Sequence, residues 1–354
     1  MKTIFHIISR FDIGGAERVA LNISKSKSAG FRYHLIEIFS GDKTAKAIFM
    51  EEMRNANIVC HPTFVKNKYL GILSFPFRLL YFFLRYRPDV FHTHTEIPDV
   101  ALILAYSMFP FLYKRIKIVR TIHNNILWSN WKKTGRVAES FFKSRNANVA
   151  ISYATSKTYK DEYGSQPPVI HNGVPHVQQR AFPGVISGKI NVLYAGRLEQ
   201  QKGIDILVKI IHELNSDKSF FFHIIGDGSM KHQMLESLRG CDNYMYYGKI
   251  LHLSSYFSSF DYLIMPSWFE GLALTPLEAA LAKLPPIIND CKGLIETVPD
   301  NWRLVAHDNS LSDYLKIFKS LDFGESLGED VFNYVSEQFS IVKMQQKYET
   351  MYRS

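Results

Sequence analysis

The sequence predicts an α/β protein built from two doubly wound parallel sheets. Three observations lead there. Short apolar runs of strand length alternate with helical segments along the chain. Glycine-bearing turns recur where such a run passes into a helix, at Gly14-Gly15, Gly196, Gly203 and Gly226-Asp227-Gly228. The 354 residues exceed what one core ordinarily serves, so the alternation divides into two domains.

Composition removes several classes. With 46% hydrophobic and 21% charged residues the chain is neither disordered nor fibrous. Cys60, Cys241 and Cys291 are scattered without paired spacing, which argues against a disulfide framework or a zinc ribbon and fits a reducing compartment. Thr3 to Ile8 is a very short apolar run followed by Ser9-Arg10 with no small-residue cleavage site; it is read as a first strand, not a signal peptide. The longest apolar run, Ala101 to Tyr113, contains Ser107 and Pro110 and falls short of the ~20 residues of a spanning helix, so no transmembrane segment is expected. The net charge of +9 is uneven. Residues 1–170 hold 25 Lys+Arg against 12 Asp+Glu, and residues 171–354 hold 17 against 21. The first half therefore suits an anionic partner: nucleic acid, an anionic membrane surface or a phosphorylated acceptor.

In the first half, strands are expected at Lys2–Ser9, Tyr33–Phe39, from Ile58, and at Asp89–His94, Ile116–Ile122, Ala147–Ile151 and Pro168–Ile170. Gly14-Gly15 lies between the first strand and a helix from Ala16 to about Ser26; it permits a tight turn and close approach of a ligand to backbone N–H groups, but it is not a dinucleotide fingerprint. Ser74–Arg87 mixes six aromatic residues with Arg78, Arg85 and Arg87. It fits a helix packed on the sheet and ended by Pro88, and also a helix at a membrane interface, which the basic cluster Lys114–Arg120 favours. His92-Thr93-His94 is either half a metal site or a pair of histidines hydrogen-bonded at a buried strand end, and the second reading outweighs the first. His123, at the carboxyl end of its strand, points towards a ligand crevice.

In the second half, strands are expected at Ile190–Tyr194, Phe220–Ile225, Tyr244–Gly248, 261–265 and Ile287-Ile288. Arg197 and Lys202 flank the mouth of a helix that starts at Ile204, an arrangement suited to a diphosphate. The stretch Pro266–Glu278 carries Glu270 in a strand-to-helix loop and Glu278 in the first turn of the following helix. Thr275 as N-cap with Pro276 next makes Thr275-x-x-Glu278 a capping box, so Glu278 is either a cap partner or a ligand contact. The expected glycine-bearing loops face a cleft lined by Arg197, Lys202, Glu270, Glu278 and His123. No Asp-x-Asp is present, and no metal or other cofactor is expected.

These stretches, with Gly14–Arg18, Pro88–His94, Asn172-Gly173-Val174 and Gly226-Asp227-Gly228, resemble the retaining family 4 glycosyltransferases of the GT-B fold, in order and over most of the chain. The resemblance implies two Rossmann-like domains: an acceptor domain at 1–175, a linker at 176–189, a nucleotide-sugar domain at 190–338 and a last helix at 339–354 crossing back to the first domain. It implies that Arg197 and Lys202 hold the donor diphosphate, that Glu270 meets hydroxyls of the transferred sugar and Glu278 the ribose, that Gly14 and Gly15 approach phosphate or sugar, and that His123 sits near the reacting carbon. Gly226, Gly271, Leu272, Ala273 and Leu274 complete the donor site. Leu272-Ala273-Leu274 departs from the family's usual Phe-Gly-Leu, Lys283 replaces a usual glycine, and Pro285-Pro286 is atypical, which bears on the shape of the sugar pocket. The expected activity is transfer from a nucleotide-diphosphate sugar, with UDP favoured, to a lipid-linked saccharide at the anionic cytoplasmic face of the inner membrane, in surface polysaccharide synthesis. A nucleotide-sugar epimerase and a non-catalytic sugar-nucleotide-binding protein are the alternatives. Nucleic acid is not an expected partner, since basic charge alone does not specify it.

Overall fold

The computed structural model describes residues 1–12, 14–129, 131–321 and 327–354. It divides into two compact units, one of Met1–Gly173 with Ile341–Ser354 and one of Val174–Ser340.

In the first unit β1 (Lys2–Ile8), β2 (Phe31–Glu37), β3 (Val59–His61), β4 (Val90–His94), β5 (Lys117–Ile122) and β6 (Asn148–Ala150) form one parallel sheet in the order 3-2-1-4-5-6. Helices α1 (Gly15–Ser24), α2 (Lys43–Asn55), α3 (Lys68–Tyr86), α4 (Glu96–Met108), the short α5 (Pro110–Tyr113), α6 (Lys132–Lys143) and α7 (Tyr153–Tyr163) connect the strands. The central strands are buried on both faces, which is why they read as apolar runs rather than alternating patterns. The expected strand at 168–170 is only an isolated bridge from Val169 to Ala150. The run Ala101–Tyr113 divides between α4 and α5, and no helix among the described residues is long and apolar enough to cross a membrane.

Between Arg120, Asp99 and Glu139 lies a buried ionic network beside the sheet. Arg120 Nε donates to Asp99 Oδ2 at 2.7 Å and its Nη1 reaches Glu139 Oε1 at 2.8 Å. Trp128 Nε1 and the Tyr159 hydroxyl donate to the same Glu139 carboxylate, so the buried charges are paired and hydrogen-bonded.

The second unit repeats the topology. Its strands are β7 (Ile190–Ala195), β8 (Phe220–Ile225), β9 (Tyr244–Gly248), β10 (Tyr262–Met265), β11 (Pro286–Asn289) and β12 (Val305–Ala306), in the order 12-11-10-7-8-9. Helices α8 (Ile204–Glu213), α9 (Lys231–Ser237), α10 (Leu274–Leu281), α11 (Leu311–Lys319) and α12 (Leu327–Gln338) cover it. Residues 176–189, read from composition as a linker, are tied down here: Arg180 N donates to Ser255 O at 2.6 Å, Phe182 N to Ser259 Oγ at 2.9 Å, and the Phe182 ring is buried. Its Gln/Pro/Gly composition reflects an irregular path, not a free tether. The last helix, α13 (Ile341–Arg353), belongs to the first unit. Tyr348 and Tyr352 are fully buried there, the Tyr352 hydroxyl meeting His92 Nδ1 at 2.7 Å and the Tyr348 hydroxyl meeting Thr121 Oγ1 at 2.8 Å.

The first unit holds six histidines of low basicity, five of them buried and His123 half-buried. Burial holds His6, His34 and His123 down to about 3 and His61 to about 4, and holds His92 and His94 well below the ordinary value, where neighbouring imidazoles add. Such groups stabilise the native state above about pH 6.5, and that contribution is lost progressively as the pH falls below it, because the folded state resists the proton that the unfolded chain accepts. Glu17 and Asp99, raised to about 7 chiefly by burial, act in the opposite direction but are fewer. Among the described histidines of the second unit only His223 is lowered, to about 4. Calorimetry between pH 7.5 and pH 5, with transitions assigned by hydrogen exchange, should show the first unit's Tm falling by about 10 °C or more and the second unit's by much less. Parallel shifts of both transitions would contradict this account.

Candidate functional site

In the second unit the strand order reverses between β7 and β10, so their carboxyl-terminal loops open a crevice at the sheet edge. Backbone contacts hold those loops together. Gly203, at φ 70°, caps α8; a Cβ there would lie 1.7 Å from the Pro266 carbonyl oxygen. The same carbonyl accepts from Asn309 Nδ2 at 3.0 Å. Trp268 N donates to Gln201 O at 2.9 Å, and Gln201 Nε2 returns a bond to Phe269 O at 3.0 Å. On the other side a Cβ at Gly293 would lie 2.4 Å from the carbonyls of both Glu270 and Gly271. Gly226 and Gly228 likewise make room for the β7 loop, with Gly196 O 1.8 Å and Leu198 O 2.3 Å from the missing methyls. These glycines are where backbone meets backbone.

The loops enclose an ion pair. Lys202 Nζ donates to Glu270 Oε1 at 2.6 Å, with the two side chains 16% and 8% exposed. Removing either partner would leave the other charge buried. The Tyr194 hydroxyl, pushed well above its ordinary range by burial and then by Glu270, donates to Arg197 O at 2.9 Å. Burial, with Glu270 and Asp290, pushes the Cys291 thiol up to about 12, so it stays protonated. Tyr194, Cys291 and Asn309 were not picked out from the sequence; the only signal was Tyr194's place two residues before Gly196.

Helix α10 begins at Leu274 with Ala273 as its cap and no side-chain capping bond. Thr275 is therefore inside the helix and the Thr275–Glu278 capping box is not formed; the loop's closure onto Gly203 and Gly293 starts the helix earlier than local capping chemistry suggested. Glu278 is half-buried one turn into α10, Leu272 and Ala273 are buried, and Leu274 is half-buried. Arg197 is exposed on the β7 loop. The structure thus gathers Lys202, Glu270 and Gly271 in one stack of loops, with Leu272–Leu274 leading from it into α10. An anion can take Lys202 and a hydroxyl can donate to Glu270.

Gly14, Gly15 and His123 belong to the first unit. The Glu17 carboxylate folds back to within 2.3 Å of where a Gly14 Cβ would be, whereas Gly15 has open space around it. His123, directly after β5, ends a file of imidazoles. Its Nε2 lies 3.1 Å from His94 Nδ1, and His94 Nε2 lies 2.9 Å from His6 Nδ1. His92 is bonded through both nitrogens, to Tyr352 and to Thr121 at 2.7 Å each. His6, His92 and His94 bring ring nitrogens within 4.8 Å of one another, but those of His92 and His94 are engaged in these bonds, so hydrogen bonding accounts for His92-Thr93-His94. The file sets a proton order. His6 Nε2 is buried and has no hydrogen-bond partner among the described residues. A buried acceptor tolerates that better than a buried N–H, so His6 carries its proton on Nδ1 and donates to His94. His94 in turn donates to His123, which leaves His123 with its proton on Nδ1.

With this geometry in place, comparison with known proteins is decisive. Residues 13–178 match the family described as Glycosyltransferase Family 4, and residues 189–317 match Glycosyl transferases group 1. The chain belongs to the family 4 glycosyltransferases. The glycosyltransferase is 24% identical to the O-antigen biosynthesis glycosyltransferase WbnH of Escherichia coli over 97% of this chain and 99% of that one. It is 27% identical to an uncharacterized 41.2 kDa protein in the cps region of Klebsiella pneumoniae, over 75% of this chain and 79% of that one. Its fold is that of Anabaena Alr3699/HepE, solved in complex with UDP-glucose, at a TM-score of 0.81 and 18% identity over the whole of both chains. The fold is therefore GT-B.

Two outcomes test the site. Gly203→Ala should cost the glycosyltransferase's second unit about 3 kcal/mol or more in urea unfolding, because the methyl meets a carbonyl that Asn309 also holds, while Gly15→Ala should cost about 1 kcal/mol or less. A small effect at Gly203 would mean that the loops are not locked there. Nitrogen NMR of labelled histidines should find His123 protonated on Nδ1. His94→Leu should release it to the Nε2 form that free imidazole favours, and His94→Asn, whose amide can replace the Nδ1 donor, should keep it. His123 protonated on Nε2 in the unaltered protein would refute the proton order.

Proposed function

We propose that this glycosyltransferase moves a sugar from a UDP-sugar to a lipid-linked saccharide during assembly of a surface polysaccharide, with retention of anomeric configuration and without a metal. The Lys202–Glu270 pair carries the reading: a half-buried cation and a buried carboxylate, side by side at a topological switch point, suit a ligand with phosphate at one end and hydroxyls at the other. Arg197 and Lys202 neutralise the leaving diphosphate in place of a metal, Glu270 accepts from the sugar's hydroxyls, and Glu278 meets the ribose. His123 offers a fixed N–H near the reacting carbon. The bond from the anomeric carbon to the phosphate oxygen breaks as the bond to the acceptor oxygen forms on the same face. The acceptor's proton passes to the departing phosphate oxygen, and the products are UDP and the glycoside. Such a route depends on orientation and charge stabilisation rather than on a covalent intermediate.

The polysaccharide role is supported by the full-length likeness to an O-antigen biosynthesis glycosyltransferase and by the relative in a cps region. UDP is supported by the UDP-glucose bound in HepE. The basic first half supports action at an anionic inner-membrane face.

Thermal-shift titration with UDP, GDP, ADP and CMP in EDTA should raise Tm with UDP alone, by mass action on the folded state. Arg197→Ala should lose most of that shift, and Glu270→Ala should lower kcat with a UDP-sugar at least a hundredfold. A shift with another diphosphate would move the donor base, a shift only after adding a divalent cation would remove the metal-free reading, and unchanged turnover in Glu270→Ala would remove Glu270 from the site.

A further inference from the structure

Two stretches of the first unit lack acidic residues: Met53–Pro88, and Val100–Ala138, which holds seven Lys+Arg. They supply β3, α3, most of α4, α5, β5 and the start of α6. Helix α3 buries Ile72, Phe75, Leu79 and Phe83, yet its other side is also apolar. Tyr69, Leu73, Phe77 and Tyr81, one turn apart, are 56–64% exposed, and Leu84 continues the line. Phe77 stacks edge-on with Phe109 at 6.3 Å, and beyond it Phe111 is 92% exposed. An apolar line of this length is costly to leave in water and contributes nothing to the core.

Next to the line is a cavity of about 710 Å³, lined by Tyr69, Ile72, Leu73, Val100 and Trp131, with Lys132 and Lys133 at its edge. The volume lies within the range of about 300–1,000 Å³ usual for ligand sites. The lining comes from segments that follow the carboxyl ends of β3, β4 and β5, the same edge of the sheet that carries His123. Lys68 lies 5.9 Å from the Trp131 ring and 5.0 Å from that of Tyr69, bringing a third ammonium to the rim. Lys132 and Lys133 open α6, whose first turn has no acidic residue, although a helix dipole disfavours cations at that end. Folding gains nothing from this placement, whereas an anion at the rim would.

We propose that this cavity is a lipid-phosphate site. The chain next to the phosphate lies among Tyr69, Leu73, Val100 and Trp131, the phosphate is held by Lys68, Lys132 and Lys133, and the exposed line on α3 rests in the bilayer interface beside it. The inference rests on the acceptor being lipid-linked, and it names the part of the first unit that meets the lipid rather than the sugar. Apolar surface and cations without intervening carboxylates match an anionic bilayer, and the concave end of the surface distinguishes one lipid from the rest.

Flotation of the full chain with three vesicle types tests this: phosphatidylcholine alone, phosphatidylcholine with phosphatidylglycerol, and phosphatidylcholine with a long-chain polyprenyl monophosphate at matched surface charge. Binding should be weak to the first, clear to the second and at least tenfold tighter to the third. Lys132→Gln with Lys133→Gln should weaken binding to the third by about 25-fold, roughly fivefold for each lysine lost near an anionic surface. Leu73→Trp, which fills the cavity, should abolish the preference for the prenyl phosphate while leaving phosphatidylglycerol binding in place, with Tm confirming the fold. Equal binding to the second and third vesicles would overturn the site and leave only electrostatic membrane contact. A preference that survives Leu73→Trp, or no binding to any vesicle, would overturn it as well. The UDP thermal shift measured on the same preparations separates the two readings. A lipid preference without a UDP shift removes the donor assignment, and a UDP shift without a lipid preference removes this inference alone.

Discussion

Pairing Lys202 with Glu270 away from water is the constraint around which the second unit is built. Desolvating two opposite charges costs several kcal/mol for each, and their attraction offsets this only if the geometry is held and the surrounding polar groups are met. A flexible loop would let water in. Here the loops after β7, β8 and β10, and the turn after β11, close on one another through Gly203, Gly226 and Gly293, each at positive φ and each with another segment's carbonyl where a side chain would be. Asn309 supports the Pro266 carbonyl from its other side, and Asn289 reaches Ser267 O at 3.0 Å. The strand order places these loops at the switch point; the glycines let them approach closely enough to exclude solvent.

The first unit meets a similar problem with neutral groups. At its own switch point, between β1 and β4, polar side chains are also buried, but they are imidazoles whose charge burial suppresses. Each answers a neighbour's hydrogen bond, and α13 closes the set with the Tyr348 and Tyr352 hydroxyls. At their switch points the two units therefore offer different chemistry on the same topology: a fixed pair of opposite charges in one, and an ordered line of neutral donors and acceptors in the other. Topology alone does not assign these roles; the side chains at the strand ends do.

Much of this was legible in the chain because parallel strands buried on both faces leave uninterrupted apolar runs, and because a glycine beside a strand end marks close approach. What the sequence could not say was what approaches. Gly203 and Gly226 were expected at turns between a strand and a helix, and the backbone that approaches them is that of other loops of the same unit. Thr275-x-x-Glu278 satisfied a local capping rule, but the start of α10 follows from loop closure, a tertiary effect that overrides local propensity. Residues 176–189 had a linker's composition and pack nonetheless, through bonds to residues some 75 positions away that no local pattern reveals. His6 carried no signal because its partners lie on β4 and beyond β5. The aromatic stretch after residue 74 was visible as a helix, but an all-round apolar helix does not disclose which of its faces meets the sheet.

That last ambiguity matters for how the charge of the first half is used. Arg120 counts towards the basic excess, yet it is buried against Asp99 and Glu139 and contributes little outside. Arg18 and Lys25 both reach Glu52, which answers them locally. Lys66, Lys68, Arg85, Arg87, Lys114, Arg115, Lys132 and Lys133 are exposed, in or beside stretches without carboxylates. A surface that only needed solubility would interleave both signs and keep its aromatic residues inside. This one keeps a single sign around an apolar line, so the net charge of the chain understates how strongly one region of it is disposed towards an anionic, partly apolar surface.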